Sequence, residues 1–262
     1  MCPGRSERWL QEMRRLRRVG GRVAIDYTDH HLAVSSNMTA FYAKALTHAD
    51  ALLVSSSAMA QQLETYWTGP VLVVADGVEI APIPPRTTAS LQRTLMWFGA
   101  KSNLKYLFDF TATRLKGDIP IRLIVLSDVK GLAIVRNTLA PVPGRLDITL
   151  AEWSVENMIR AAAQSDLCVI PTDSTDPRKA GASSNRLITA FALGLPVMAV
   201  DLASYAPYRD YFTESESEAF DALLGDPLAF SARAAAAQRD VVPEFMPDRL
   251  GKVWTAAIAT LA

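Results

Sequence analysis

Cysteine is scarce. The 262 residues hold only Cys2 and Cys168, and one pair so far apart can build neither a disulfide framework nor a four-thiolate zinc site, so a reducing cytoplasm is the simplest setting. Net charge is missing as well: 27 lysines and arginines stand against 27 aspartates and glutamates. With no overall field to hold a polyanion, a general nucleic-acid binder is disfavoured and any attraction must be local. No apolar run approaches the ~20 residues of a membrane-spanning helix, and no apolar stretch follows the basic start as a signal peptide requires. Histidine is rare too. Two of the three, His30 and His31, are adjacent and cannot face one metal from a helix, so with Asp26 and Asp29 they read as a polar turn and no metal is expected. No Walker loop, Gly-x-Ser-x-Gly elbow or Gly-x-Gly-x-x-Gly fingerprint occurs, which leaves ATPase, hydrolase and dehydrogenase readings without an anchor.

What is present is enough apolar material for a real core: 50% of the residues are apolar and 21% charged, sufficient for one large domain or two small ones. The charge is uneven. Within residues 1–22, seven arginines (Arg5, Arg8, Arg14, Arg15, Arg17, Arg18, Arg22) meet only Glu7 and Glu12, and Trp9, Leu10, Met13, Leu16 and Val19 fall near one helical face. Residues 5–19 therefore read in two ways: a basic amphipathic helix on anionic lipid at the inner membrane face, or a packing helix with a solvated side.

From Val23 onward short β-branched runs alternate with helical stretches, the pattern of parallel strands joined by crossover helices. Strands are predicted at Val23–Ile25, Ala51–Val54 and Val71–Val74, with helices over Met38–Thr47 and from the Ser55-Ser56-Ser57 cap to about Tyr66. Pro82, Pro84 and Pro85 break the rhythm, so 81–92 reads as a linker. Strands then follow at Leu95–Phe98, Ile121–Leu126, Leu146–Leu150, Leu167–Ile170 and Val197–Val200, with helices over Asn103–Leu115, Val129–Thr138, Val155–Gln164 and Asn185–Leu193 between them. The expected organisation is an incomplete first domain over 1–80, the linker, a complete doubly wound domain over 93–212 and closing helices over 213–262. Cys168 lies inside an apolar strand and reads as core.

Ligands of open α/β sheets bind beyond the carboxyl ends of the strands. Gly99 follows a strand, and Lys101 and Ser102 precede a helix; this is either a phosphate corner or an ordinary turn. The loop Thr172–Arg186 carries Arg178 and Lys179, then Gly181, Ser183 and Ser184, and ends at Asn185 where a helix starts. Free N–H groups, hydroxyls and cations in that order suit a diphosphate, with a mobile Ser-capped loop as the plain alternative.

In this order the pieces resemble a nucleotide-sugar glycosyltransferase of the GT-B type. The stretch Ala49–Ser56 with its helix and Val73–Glu79 resemble the end of a first GT-B domain and its exit into the linker. Leu95-Met96-Trp97-Phe98-Gly99 resembles the opening of the donor domain. Trp153–Ala163, Ser165-Asp166-Leu167 with Ile170-Pro171, and Ser184–Ala190 with Leu193-Gly194-Leu195-Pro196-Val197 resemble its nucleotide-sugar half. The resemblance covers about residues 22–212. It implies two Rossmann-like parallel-sheet domains, the first incomplete, with a nucleoside-diphosphate sugar as donor substrate, an unknown acceptor and no cofactor. Gly99, Lys101 and Ser102 would lie near the diphosphate, Glu152 and Trp153 near the base, and Lys179, Ser183, Ser184, Asn185 and Thr189 around the phosphates and nucleotide. Asp29 and His30, at the end of the first strand, would face the cleft as candidate catalytic groups. The chain departs from the large retaining family, which carries two glutamates separated by seven residues: the equivalent positions hold Gly181 and Thr189. It also lacks the several strands that normally precede the one at Val23. Transfer of a sugar, as in carbohydrate biosynthesis, is the leading expectation. A non-catalytic binding protein whose open sheet edge is covered by a partner or a second copy is the alternative, and a sugar-nucleotide epimerase or hydrolase on the same scaffold is a third.

Overall fold

The computed structural model describes residues 7–88, 92–115, 119–215 and 218–261; Cys2 and Arg5 lie outside the described residues. Two parallel sheets form. The first holds β1 (Ala24–Tyr27), β2 (Ala51–Val54) and β3 (Val71–Val73) in the order β1-β2-β3. The second holds β4 (Arg93–Phe98), β5 (Ile121–Ser127), β6 (Leu146–Glu152), β7 (Leu167–Ile170), β8 (Val197–Ala199) and β9 (Thr213–Glu214) in the order β6-β5-β4-β7-β8-β9. Ten α-helices lie among the described residues: α1 (Glu7–Arg18), α2 (Asn37–Leu46), α3 (Ser57–Leu63), α4 (Leu104–Arg114), α5 (Val129–Thr138), α6 (Val155–Ala162), α7 (Asn185–Ala192), α8 (Ala219–Gly225), α9 (Ser231–Asp240) and α10 (Pro247–Ala259).

The caps explain where several helices start. Ser36, Ser56, Asp128 and Ser154 each accept a hydrogen bond from the backbone N–H three residues on, satisfying a donor that no helical carbonyl can reach. The two-residue period of a strand then sorts β4 between two cores. Leu95 and Trp97 pack with Leu107 and Phe110 of α4, Val135 of α5 and Phe220 of α8. Met96 and Phe98 pack on the other side with Met158 of α6, Ile188 and Phe191 of α7 and Ala237 of α9. Both faces are covered, which is why β7 and residues 123–126 of β5 read as continuous apolar runs.

The first sheet is covered differently. Tyr27, Leu52 and Val54 meet Tyr42 and Leu46 of α2 and Met59 and Leu63 of α3. On the opposite face Leu53 and Val74 meet Ala257, so the last helix returns to the first sheet. The segment after β3 is pinned to the second sheet's helices: the Gln238 side-chain amide donates to the carbonyls of Ile83, Phe191 and Ala192 at 2.6, 2.9 and 3.1 Å. Gly194 turns α7 into β8 with φ +73° against the backbone of Ile83 and Pro84, a place where any side chain would be both strained and crowded.

Three details differ from the sequence reading. The second sheet has six strands rather than five, because β9 adds Thr213–Glu214 beside β8. The helix expected to reach Tyr66 stops at Leu63. The apolar side of α1 is divided: Leu10 and Met13 are buried on Val23 and Ala45, whereas Trp9, Leu16 and Val19 remain 48%, 45% and 77% exposed. Among the described residues no helix is long and apolar enough to cross a membrane.

Candidate functional site

The strand order of the second sheet reverses between β4 and β7, and the carboxyl ends of those strands open on a cleft facing the first sheet. Its larger part, about 360 Å³, is lined by Gly77 and Glu79 from the segment after β3, by Phe98, Gly99, Ala100, Asp128, Trp153 and Met158, and by Asn185, Arg186 and Thr189 of α7. A second part, about 250 Å³, shares Asn185 and Arg186 and adds Thr28, Asp29 and Asp76 on one wall and Asn103, Lys179 and Ser183 on the other. One wall carries carboxylates and the other cations.

The cations are not equivalent. Arg178, the first of the expected basic pair, is consumed: its guanidinium donates twice to the buried Asp176 carboxylate, at 3.0 and 2.6 Å, and Tyr106 and Lys105 donate to the same group. Lys179 instead turns into the cleft and donates to Asn103 Oδ1 at 3.0 Å. Burial, and then the Arg186 guanidinium, hold its ammonium below the usual lysine value, against the opposite pull of Asp29 and Asp176. Arg186 lies where the two parts of the cleft meet. Its Nη1 is buried without a hydrogen-bond partner among the described residues, and a Cβ on Gly99 would come within 3.4 Å of it. An orphaned donor costs about 1–3 kcal/mol, and two neighbouring cations with the N-terminus of α7 between them make this a point that favours an anion.

Thr189 and Asn185 are tied together. The Thr189 hydroxyl donates to Asn185 Oδ1 at 3.2 Å, and Asn185 Nδ2 donates to the Gly77 carbonyl at 3.2 Å, joining α7 to the segment after β3. A second link crosses at Gly181. Ser56 Oγ, at the start of α3, donates to the Gly181 carbonyl at 3.1 Å, and a Cβ on Gly181 would stand 2.6 Å from Met59 Cα. The position that carries a glutamate in the large retaining family is here closed by the backbone of α3.

The remaining expected residues separate into those that line the cleft and those that do not. Gly99, Trp153, Lys179, Ser183, Asn185, Thr189 and Asp29 line it. Lys101 and Ser102 form an exposed 3-10 turn outside the lining, and the Lys101 N–H is directed at Asp128 Oδ2, 3.4 Å away. Glu152 is exposed at the end of β6, with its carbonyl accepting from Asn157 Nδ2 at 2.8 Å. Ser184 is buried at the cap position of α7 without a capping bond; the neighbouring Ser183 Oγ accepts from Asn185 N at 3.1 Å instead. His30 was expected to face the cleft and does not line it. It is 3% exposed, its Nδ1 lies 3.3 Å from Tyr27 Oη, its ring meets Tyr66 edge-on, and burial followed by His31 lowers its pKa.

Sequence reasoning missed Arg186, Glu79 and Asp76. Arg186 stood inside the quoted Ser184–Ala190 motif, and its position in the first turn of a helix at a strand-end loop was a usable signal. Glu79 and Asp76 follow β3 and become cleft residues only because the first sheet faces the second.

No family model matches the sequence, and neither does any curated protein. Solved structures do match. The apo form of the lipopolysaccharide outer core galactosyltransferase WaaB superposes with a TM-score of 0.56 at 17% identity, over 96% of this chain and 72% of that one. HepE of Anabaena in complex with UDP gives 0.65 at 13% identity, over 96% and 76%. The GtfA/B complex gives 0.55 at 13% identity, over 92% of this chain and 53% of that one, so there the chain spans about half the length of the protein it matches. At these identities the likeness is one of fold. With two facing parallel sheets and a last helix that returns to the first, the chain has the GT-B fold of these glycosyltransferases, its first sheet incomplete and its second complete.

Proposed function

We propose that the chain binds a nucleoside-diphosphate sugar in this cleft and transfers the sugar to an acceptor hydroxyl. The observation that carries the reading is Arg186, whose buried Nη1 has no partner at the point where Gly99, Lys179 and the N-terminus of α7 converge. A diphosphate there would receive the orphaned donor at the N-terminus of α7. The base would lie against Phe98, Met158 and Trp153, the apolar wall of the larger part. In the reaction the acceptor oxygen bonds to the anomeric carbon, the bond from that carbon to the diphosphate oxygen breaks, and the departing negative charge falls on groups already held in place by Arg186 and Lys179. The acceptor proton passes to a base on the opposite wall, for which Asp29 is the candidate and the buried His30 is not.

Calorimetric titration with a panel of nucleoside diphosphates and their sugars tests this. One base should bind, and Arg186→Ala should weaken it about 10–100-fold, the value of a hydrogen bond to a charged group. No binding at millimolar ligand, or unchanged affinity in both Arg186→Ala and Lys179→Ala, would refute the assignment. Product mass with and without an acceptor then separates transfer from hydrolysis.

A second reading has its own observation. Gly181 and Thr189 are spent on contacts that hold the two halves together, which suits a binding protein that keeps the fold and works through a partner. Nucleotide binding without turnover on any acceptor would favour it.

A further inference from the structure

Among the described residues the first sheet ends at β1, which pairs with β2 and with no strand on its other side. In a parallel sheet alternate residues turn both backbone groups to the same neighbour. The Val23 carbonyl accepts from Asp50 and Ala51 on the β2 side, so Ile25 and Tyr27 share that direction and Ala24 and Asp26 turn their N–H and C=O groups to the open edge. Both are exposed. An edge with such unpaired groups is a template for another strand. Beside it runs a groove of about 490 Å³ between β1 and α1, whose lining includes Trp9 and Leu16.

We propose that β1 pairs antiparallel with β1 of a second copy, about a two-fold axis at Ala24, so that one sheet runs through a dimer. The register follows from the outward-facing residues. Ala24 stands opposite its own copy with only a methyl group at the axis, and Arg22 and Asp26 stand opposite Asp26 and Arg22 of the second copy. A slip of one residue would set outward groups against inward ones. A slip of two loses both ion pairs, and a slip of four brings Asp26 against Asp26 or Arg22 against Arg22.

The charges support this register. Asp26 forms no salt bridge among the described residues, and burial followed by Asp76 raises its carboxyl pKa, so a cation delivered across the axis would meet a carboxylate that the chain itself leaves uncompensated. Arg22 is exposed and pairs with Asp50 only at 3.6 Å, whereas Arg17 holds that carboxylate at 2.6 Å, so turning to the axis would cost it only the longer of the two contacts. The proposal does not depend on the nucleotide reading.

Sedimentation velocity of the full chain over a concentration series tests it. A species of twice the chain mass is expected. Asp26→Lys and Arg22→Glu each place two like-charged pairs at the axis and should each raise the dissociation constant at least about tenfold. Mixing the two variants should restore a dimer, because the new lysine then faces the new glutamate while the native Arg22 faces the native Asp26; that recovery also shows that both variants fold. A wild-type chain that stays monomeric to high micromolar concentration would overturn the proposal. So would single variants that dimerise like the wild type, or a chain that binds phosphatidylserine vesicles through α1 while remaining a monomer.

Discussion

Placing a methyl group at Gly181 is the sharpest perturbation of the contact between the two halves. The new Cβ would stand 2.6 Å from Met59 Cα and 2.9 Å from its N and Cβ. Two of those three atoms are backbone, so no rotamer change relieves the overlap, and α3 or the loop must move. Overpacking of this kind costs about 1–3 kcal/mol. Against it stands about 0.4–1 kcal/mol gained because alanine has fewer unfolded conformations than glycine. The net is a loss of about 1–2 kcal/mol, which at about 2–4 °C per kcal/mol lowers Tm by roughly 2–8 °C. Scanning calorimetry reads it. Gly251→Ala is the internal control: in α10 a Cβ meets nothing within 4 Å, so that variant should gain about 0.5–1 kcal/mol through helix propensity. If Gly181→Ala keeps or raises Tm, α3 and the Gly181 loop do not touch in solution, and the closed arrangement of the cleft falls with them.

Three further outcomes follow from named groups. Because burial and Arg186 lower the Lys179 pKa, nucleotide affinity should be full at neutral pH and fall with rising pH on the acid side of the ordinary lysine range, while Lys179→Arg stays level there; titrations across alkaline pH check it. The Arg178 guanidinium beside Asp176 holds its carboxyl well below the usual carboxylate range. The stability it brings is therefore full above its unfolded value of about 3.9 and lost as pH falls through the folded one. Asp176→Asn should cost about 1–2 kcal/mol at pH 7 with Arg178 half exposed, and the gap to wild type should narrow in urea titrations below about pH 4. Burial pushes the Cys168 thiol up to about 12, so in a Cys2→Ser chain a thiol reagent should label nothing at pH 8 until denaturant is added; rapid native labelling would place Cys168 outside the core.

How much of this the sequence disclosed depended on how local each signal was. β2, α5 and β7 fall where the sequence places them because β2 and β7 are apolar on both faces and α5 starts at an Asp128 cap. β9 was invisible: two residues carry no period, and it exists only because β8 offers it an edge. At the site the strand-end rule found Gly99, Lys179 and Asn185, since topology alone brings strand ends to the cleft. Adjacent residues defeated it. Arg178 and Lys179 look alike in sequence, yet Asp176, itself held by Tyr106 and Lys105, captures the first, while the second lines the cleft. Asp29 and His30 differ likewise, because Tyr27 and Tyr66 draw the imidazole inward. Such sorting is set by contacts distant in sequence, which no spacing rule carries.

The loss of the two glutamates has a physical counterpart at each position. Gly181 is needed where α3 approaches too closely for any side chain, and Thr189 supplies a donor that fixes Asn185 against Gly77. Both positions therefore join the two halves and supply no carboxylate to a ligand. The α7 side of the cleft keeps Lys179 and Arg186 without those negative charges, so it should hold an anion. On the proposed reading, discrimination among bases then falls to groups outside α7. The cleft offers Trp153, half exposed at its rim, and Glu79, brought in from the first half, whose carboxylate can accept from ribose hydroxyls. A ligand would thus be recognised by residues of both halves, and the contact at Gly181 becomes a condition for selectivity as well as for stability.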